Sequence, residues 1–157
     1  MAGASIELSF STRVAAGRAE VWSVVSTMPG VNAELMPFVR MTHPADRTSL
    51  ETLDVAPGEV ALRSWLLAGG VLPFDRHTLR LERVLPGEGF DEESTSWMQR
   101  RWRHERRLVA EPDGTCTVAD RLVVVPRLPL ARPVVARIVR LLFAHRHRRL
   151  ARRFGTA

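Results

Sequence analysis

No lysine and no tyrosine occur among the 157 residues, and all 23 basic side chains are arginines. Arginine is not usefully deprotonated, so Schiff-base catalysis and a lysine general base are excluded. A tyrosine acid is excluded for want of the residue. Cys116 is the single cysteine, which rules out an internal disulfide and a cysteine-based zinc cluster. No run approaches the roughly 18 uncharged apolar residues of a membrane span. The segment Met1-Ala2-Gly3-Ala4-Ser5 lacks the basic start and apolar stretch of a signal peptide. These absences lead us to expect a cytoplasmic protein.

What is present is enough apolar material for a core, 45% hydrophobic against 25% charged, and the length suits a single domain over residues 1–157. The net charge of +6 is unevenly placed. Residues 1–99 hold 8 Arg and 13 acids, whereas residues 100–157 hold 15 Arg and 4 acids; from Arg127 onward there are 9 Arg and no acid. Such asymmetry suits an anionic partner, and equally the wet face of a helix.

Along the chain, Ile6, Leu8, Phe10 and Val14 alternate with polar residues, the period of a strand with one wet face. Val21, Trp22, Val24 and Val25 predict a short helix over 17–27 that Met28-Pro29-Gly30 stops, with a further helical turn at Val31–Leu35. Strands are expected at 38–42, 49–55, 60–67, 77–85, 90–98, 102–110 and 115–125, separated by turn residues such as Gly69-Gly70 and Pro112-Asp113-Gly114. Short connections make neighbouring strands antiparallel. A long helix then runs to about Phe154, with Val135, Ile138, Val139, Leu142, Phe143, Leu150 and Phe154 along its apolar stripe and Gly155 as its stop. The expected class is α+β. A curved antiparallel sheet of about seven strands wraps a long C-terminal helix, with one or two short helices after the first strand. A sheet closed by one helix tends to leave a cavity for a ligand.

Four segments carry a family resemblance. Val14-Ala15-Ala16-Gly17-Arg18-Ala19-Glu20-Val21-Trp22 resembles the strand-to-helix passage of the START-like (SRPBCC) superfamily, the helix-grip fold of polyketide cyclases/dehydrases and lipid-transport proteins. Trp102-Arg103-His104-Glu105-Arg106 is similar to the cyclase-like Trp-x-His-x-His strand. Asp120 with Pro126 resembles its closing strand, and Phe143-Ala144-His145-Arg146-His147 its Phe-x-x-Arg-His helix. Arg106 replaces the second histidine, and Trp97-Met98 replaces a usual Gly-Pro. The resemblance implies a hydrophobic ligand, a lipid or polyketide-like compound, in the cavity between sheet and C-terminal helix; no cofactor is expected.

Candidate site residues follow from strand faces. Trp102, His104, Arg106 and Leu108 share one face; Cys116, Val118, Asp120, Leu122 and Val124 share the next. Turning at Asp113-Gly114 sets Arg106 or Leu108 opposite Asp120, which makes His104, Arg106 and Asp120 candidate polar groups in an apolar cavity. They would either hold a ligand's carbonyl, enol or carboxylate, with His104 exchanging protons, or form a structural ion pair with His104 bonded beside it. Glu92 and Ser94 share a face, and Glu92 stands where the cyclase-like branch often has an acid; otherwise it is one of an exposed acidic run. Trp65 and His77 are further ligand-contact candidates, Trp65 with plain core packing as the other reading.

No phosphate loop, hydrolase elbow or metal set is visible; His145 and His147 point apart on the helix. Nucleic acid is not expected with aromatics at 6% and no stacking platform. The Arg146–Arg153 region is left as a contact for an anionic membrane. A hydrophobic-ligand binder is therefore the first reading. A cyclase/dehydratase-like enzyme using His104 and Arg106 is the second, and a basic module on membrane or nucleic acid the third.

Overall fold

The structure, a computed structural model, describes residues 4–157, so most of the Met1–Ser5 segment lies outside the described residues. Strand β1 (Ile6–Val14) buries Ile6, Leu8 and Val14 and exposes Glu7, Ser9, Ser11 and Arg13. Helix α1 (Arg18–Val25) turns Val21, Trp22 and Val25 inward. Met28-Pro29-Gly30 does not stop a helix but starts one, α2 (Met28–Leu35). The Thr27 hydroxyl accepts from Gly30 N–H at 3.1 Å, and Pro29 sits in the first turn, where its missing N–H costs nothing.

After β2 (Val39–Met41) the expected strand at 49–55 is absent. The Ser49 hydroxyl accepts from Glu51 N–H, and residues Leu50–Thr52 form a single 3₁₀ turn that tucks Leu50 under the core. Strands β3 (Val60–Ala68), β4 (Leu72–Leu85), β5 (Gly89–Ser96), β6 (Gln99–Ala110) and β7 (Cys116–Pro126) follow. The seven strands form one antiparallel sheet in the order β1-β7-β6-β5-β4-β3-β2, curled into a half-barrel. Gly69 and Gly70, both at positive φ, make the tight β3–β4 turn.

Helix α3 (Arg132–Phe154) lies against β1, β7 and α2 and ends at Gly155, whose φ is 83°. It buries Val135, Val139, Phe143 and Leu150 as the apolar stripe requires, but also Arg146 and His147. Two expectations are corrected here. Ile138 is exposed rather than in the stripe, and within the Arg146–Arg153 region Arg146 and His147 point into the core while Arg148, Arg152 and Arg153 stay exposed.

Three apolar clusters fill the interior. One gathers Val14, Trp22, Leu81, Phe90, Leu108 and Val118; a second lies under α3 around Ile6, Leu122, Val139 and Phe143; a third joins Met28, Leu62 and Leu79. On β7, Val118 belongs to the first and Leu122 to the second, and the residue between them is Asp120. The gap between clusters is where the charges sit.

Candidate functional site: a charged network on the inner face of the sheet

Strand register builds the centre of the network. Arg106 of β6 pairs with Asp120 of β7, and His104 pairs with both Glu92 of β5 and Leu122 of β7. Paired residues on one face stand side by side, so the polar groups converge. Arg106 is 0% exposed. Its Nε and Nη2 donate to the two oxygens of Asp120, each at 2.8 Å, while Nη1 and Nη2 donate to Glu34 of α2 at 2.9 and 2.8 Å. A guanidinium fork matches a carboxylate in two parallel bonds, and here it grips two at once. Arg146 of α3 donates to the same Glu34 at 3.2 Å, its guanidinium resting 4.6 Å over the Phe143 ring.

Asp120 is also the acceptor for two imidazoles. His104 Nε2 and His147 Nε2 donate to its oxygens at 2.7 and 2.8 Å. A carboxylate only accepts, so both rings carry hydrogen on Nε2; His147 Nδ1 is bonded to the Thr12 hydroxyl at 2.8 Å. The His104 ring is held edge-on between Phe90 and Phe143, each centroid 5.2 Å away. Its Nδ1 lies 3.8 Å from Glu92, beyond hydrogen-bond range. Glu92 instead accepts from His77 Nε2 and from the Ser94 hydroxyl, both at 2.7 Å. One hydrogen-bonded network thus joins α3, α2, β6 and β7, and a second group, His77, Glu92 and Ser94 on β4 and β5, stands beside it across the 3.8 Å gap.

Burial raises the carboxyl pKa of Glu34, Glu92 and Asp120, but in each case opposite charges and hydrogen bonds outweigh it. Arg106 holds Asp120 well below the usual carboxylate range, with His104 adding to it. Arg106 and Arg146 lower Glu34. For Glu92, contacts with His104 and His77 bring the pKa down to about 2. Burial would lower Arg106, yet Asp120 and Glu34 drive it well above its ordinary value.

Of the residues singled out from the sequence, His77, Glu92, Ser94, His104, Arg106 and Asp120 come together on the inner face, and Trp102 borders them, its ring 6.2 Å from both His77 and Phe143. Trp65 does not join them. It pairs with Arg76, whereas its neighbour Ser64 pairs with His77, so its ring stands on the opposite face, under the Arg76 guanidinium and against Trp97. Glu92 is buried, as is Asp91, and Glu93 is half-buried, so the run Asp91-Glu92-Glu93 is not an exposed acidic face.

Glu34, Arg146 and His147 were missed. Glu34 is the only charge between Glu20 and Arg40, an isolated acid in an apolar stretch, which was a readable signal. Arg146 and His147 belong to the Phe-x-x-Arg-His segment, where an arginine-rich surroundings made them look like surface.

One more inner-face residue completes the set. Gln99 pairs with Pro126, which faces the core, and its backbone N–H donates to the Ser96 hydroxyl at 2.9 Å. Its side-chain Oε1 is buried and accepts nothing, the single such atom among the described residues. A cleft of about 270 Å³ opens elsewhere, between the helices, lined by Val24, Ala33, Glu34, Arg149, Arg152 and Arg153. Among the described residues no group of three His, Cys, Asp or Glu is placed to hold a metal ion, and no helix is long and apolar enough to cross a membrane.

The architecture is that of START-like proteins. It is similar to a START superfamily protein of Mycobacterium smegmatis (13% identity, 94% of this chain and 96% of that one, TM-score 0.66). It is also similar to the Zhui aromatase/cyclase of Streptomyces sp. R1128 (14%, 94% and 92%, 0.68) and to protein CV1439 of Chromobacterium violaceum (12%, 96% and 99%, 0.70). At such identity the likeness concerns the fold. More narrowly, residues 12–154 match the family described as a domain of unknown function (DUF8410), and the chain belongs to that family. No curated protein matches the chain.

Proposed function

We propose that residues 1–157 act as a START-like ligand-binding domain that takes up a hydrophobic small molecule, a lipid or polyketide-like compound, on the inner face of the sheet. The observation that carries this is the Gln99 side chain. A buried acceptor with no partner costs on the order of 1–3 kcal/mol, and a ligand hydroxyl would supply the missing donor. Trp102 and His77 flank the same face and give the ligand an aromatic wall, while Glu92 holds His77 in place. The likeness to the Zhui aromatase/cyclase is consistent with a polyketide-like guest.

A proton-transfer reading, cyclase/dehydratase-like, rests on His104. Its Nδ1 is the loosest contact in the network, 3.8 Å from Glu92, and a substrate oxygen that displaced Glu92 there would find a polarised ring behind it. Arg106 would act on the substrate only through the rest of the network, since four of its five N–H groups are committed to Glu34 and Asp120 and the side chain is fully buried.

Native mass spectrometry of the purified chain tests the binding reading. A bound small molecule, or an adduct formed on adding oleate or 2-naphthol, is expected; failure of both probes to bind, with no co-purified compound, overturns it.

A further inference from the structure

The first half of α3 carries apolar residues on two sides. At 100° per residue, Val134, Ile138 and Leu141 fall within about 60° of one another, centred about 130° around the helix from the buried Val135, Val139 and Phe143. A helix that is apolar on both sides is normally covered on both. Here the outer side is bare, and the connection before the helix continues it: Leu128, Leu130, Val134, Ile138 and Leu141 are between 58% and 97% exposed. Arg127 joins this strip to the β5–β6 turn, its backbone N–H donating to Met98 O at 3.0 Å and its Nε to Ser96 O at 2.9 Å. That turn presents Trp97 and Met98, both exposed. Isolated apolar residues on a surface are ordinary; a connected strip of this kind marks a contact.

The charges around the strip select the partner. Arg127, Arg132, Arg137 and Arg140 are all exposed and interleave with the apolar residues, and the segment 127–141 contains no acid. Within it, among the described residues, no arginine pairs with a carboxylate; the first to do so is Arg146, in the core. A second copy docking on the same face would set these arginines against their own kind. A nucleic acid would match the charge and leave the leucines unsatisfied. An anionic lipid surface takes both: phosphate groups meet the guanidiniums while the apolar side chains and the Trp97 indole enter the boundary below the headgroups.

We propose that the face formed by residues 127–141 and the Trp97-Met98 turn docks the protein peripherally on an anionic lipid bilayer. This surface is distinct from the interior site and from the Arg146–Arg153 region, and it stands whether or not an interior ligand is found.

Co-sedimentation of the full chain with phosphatidylcholine vesicles containing about one-third phosphatidylglycerol tests it. Binding is expected to weaken with added salt and on removing the anionic lipid. Leu130→Glu with Ile138→Glu, and separately Arg137→Gln with Arg140→Gln, are each expected to lower vesicle affinity about tenfold or more with an unchanged thermal midpoint. Arg148→Gln with Arg152→Gln, on the exposed last turns, is expected to change it far less. Native-like binding by both of the first two variants overturns the proposal, as does equal loss in the last. A chain that ignores the vesicles, or whose sedimentation shows a dimer dissolved by Leu130→Glu with Ile138→Glu, overturns it too.

Discussion

Arg106 and Glu34 lie 72 positions apart in sequence and share two hydrogen bonds of 2.8 and 2.9 Å, closing α2 onto the sheet through a buried guanidinium. The same guanidinium holds Asp120 on the next strand. Removing it strands two carboxylates away from water. Arg106→Leu is therefore expected to cost about 3–5 kcal/mol in urea unfolding, and Arg106→Lys, which keeps the charge without the two-sided fork, an intermediate amount. A loss below about 1 kcal/mol for Arg106→Leu contradicts this account of the network.

His147 bridges Asp120 and Thr12, tying α3 to β7 and β1. His147→Phe fits the space among Phe10 and Phe143 but leaves those partners short of a bond. A loss of about 1–3 kcal/mol in the same measurement is expected, whereas His145→Phe, which gives up one bond to the Met36 carbonyl, is expected to cost less.

Acid sensitivity follows from the carboxylates. Glu92 falls from an ordinary 4.5 to about 2 in the folded protein, so the unfolded chain takes up the proton first as pH drops. Its contribution, on the order of 3 kcal/mol, is whole above about pH 4.5 and is lost as pH falls toward 2. Glu34 and Asp120 shift the same way and steepen the loss. Stability followed by circular dichroism is expected to hold at neutral pH and collapse across that window, with Glu92→Gln shallower there. An acid transition that Glu92→Gln leaves unchanged would refute the assignment.

Gly30 is needed for space. A Cβ there would lie 1.9 Å from the Val24 carbonyl oxygen, whereas at Gly58 nothing stands within 4 Å. Gly30→Ala is expected to cost about 2 kcal/mol or more by thermal unfolding, because α2 must shift and carry Glu34 with it. Gly58 has a φ of 82°, so Gly58→Ala carries only the backbone strain of about 1 kcal/mol. Equal costs would show that the close approach is not what Gly30 serves.

Much of this was legible beforehand, and the parts that were not share a cause. Period-two alternation located β1, β6 and β7, and the inward face of β7 led directly to Asp120 and to its neighbours His104 and Arg106. The order of elements sufficed for the helix-grip architecture. The failures are tertiary overrides of local pattern. Pro29-Gly30 reads as a break until Thr27 is seen capping a new helix, and Ser49–Val55 reads as a strand until Ser49 turns the chain. Arg146 and His147 look like solvated surface on an arginine-rich helix, because nothing in the local sequence announces that Glu34 and Asp120 await them. Trp65 was put on the wrong side relative to His77, since pairing register, not composition, decides which face a strand residue takes.

The central claim is that the inner face binds a hydrophobic ligand whose hydroxyl meets Gln99. Calorimetric titration with 2-naphthol and with 2-methylnaphthalene, on the native chain and on Gln99→Leu, tests it most directly. The account predicts that the native protein prefers 2-naphthol by about tenfold and that Gln99→Leu loses the preference while still binding 2-methylnaphthalene. Equal affinity for the two compounds in the native chain, or a preference that survives Gln99→Leu, would contradict it.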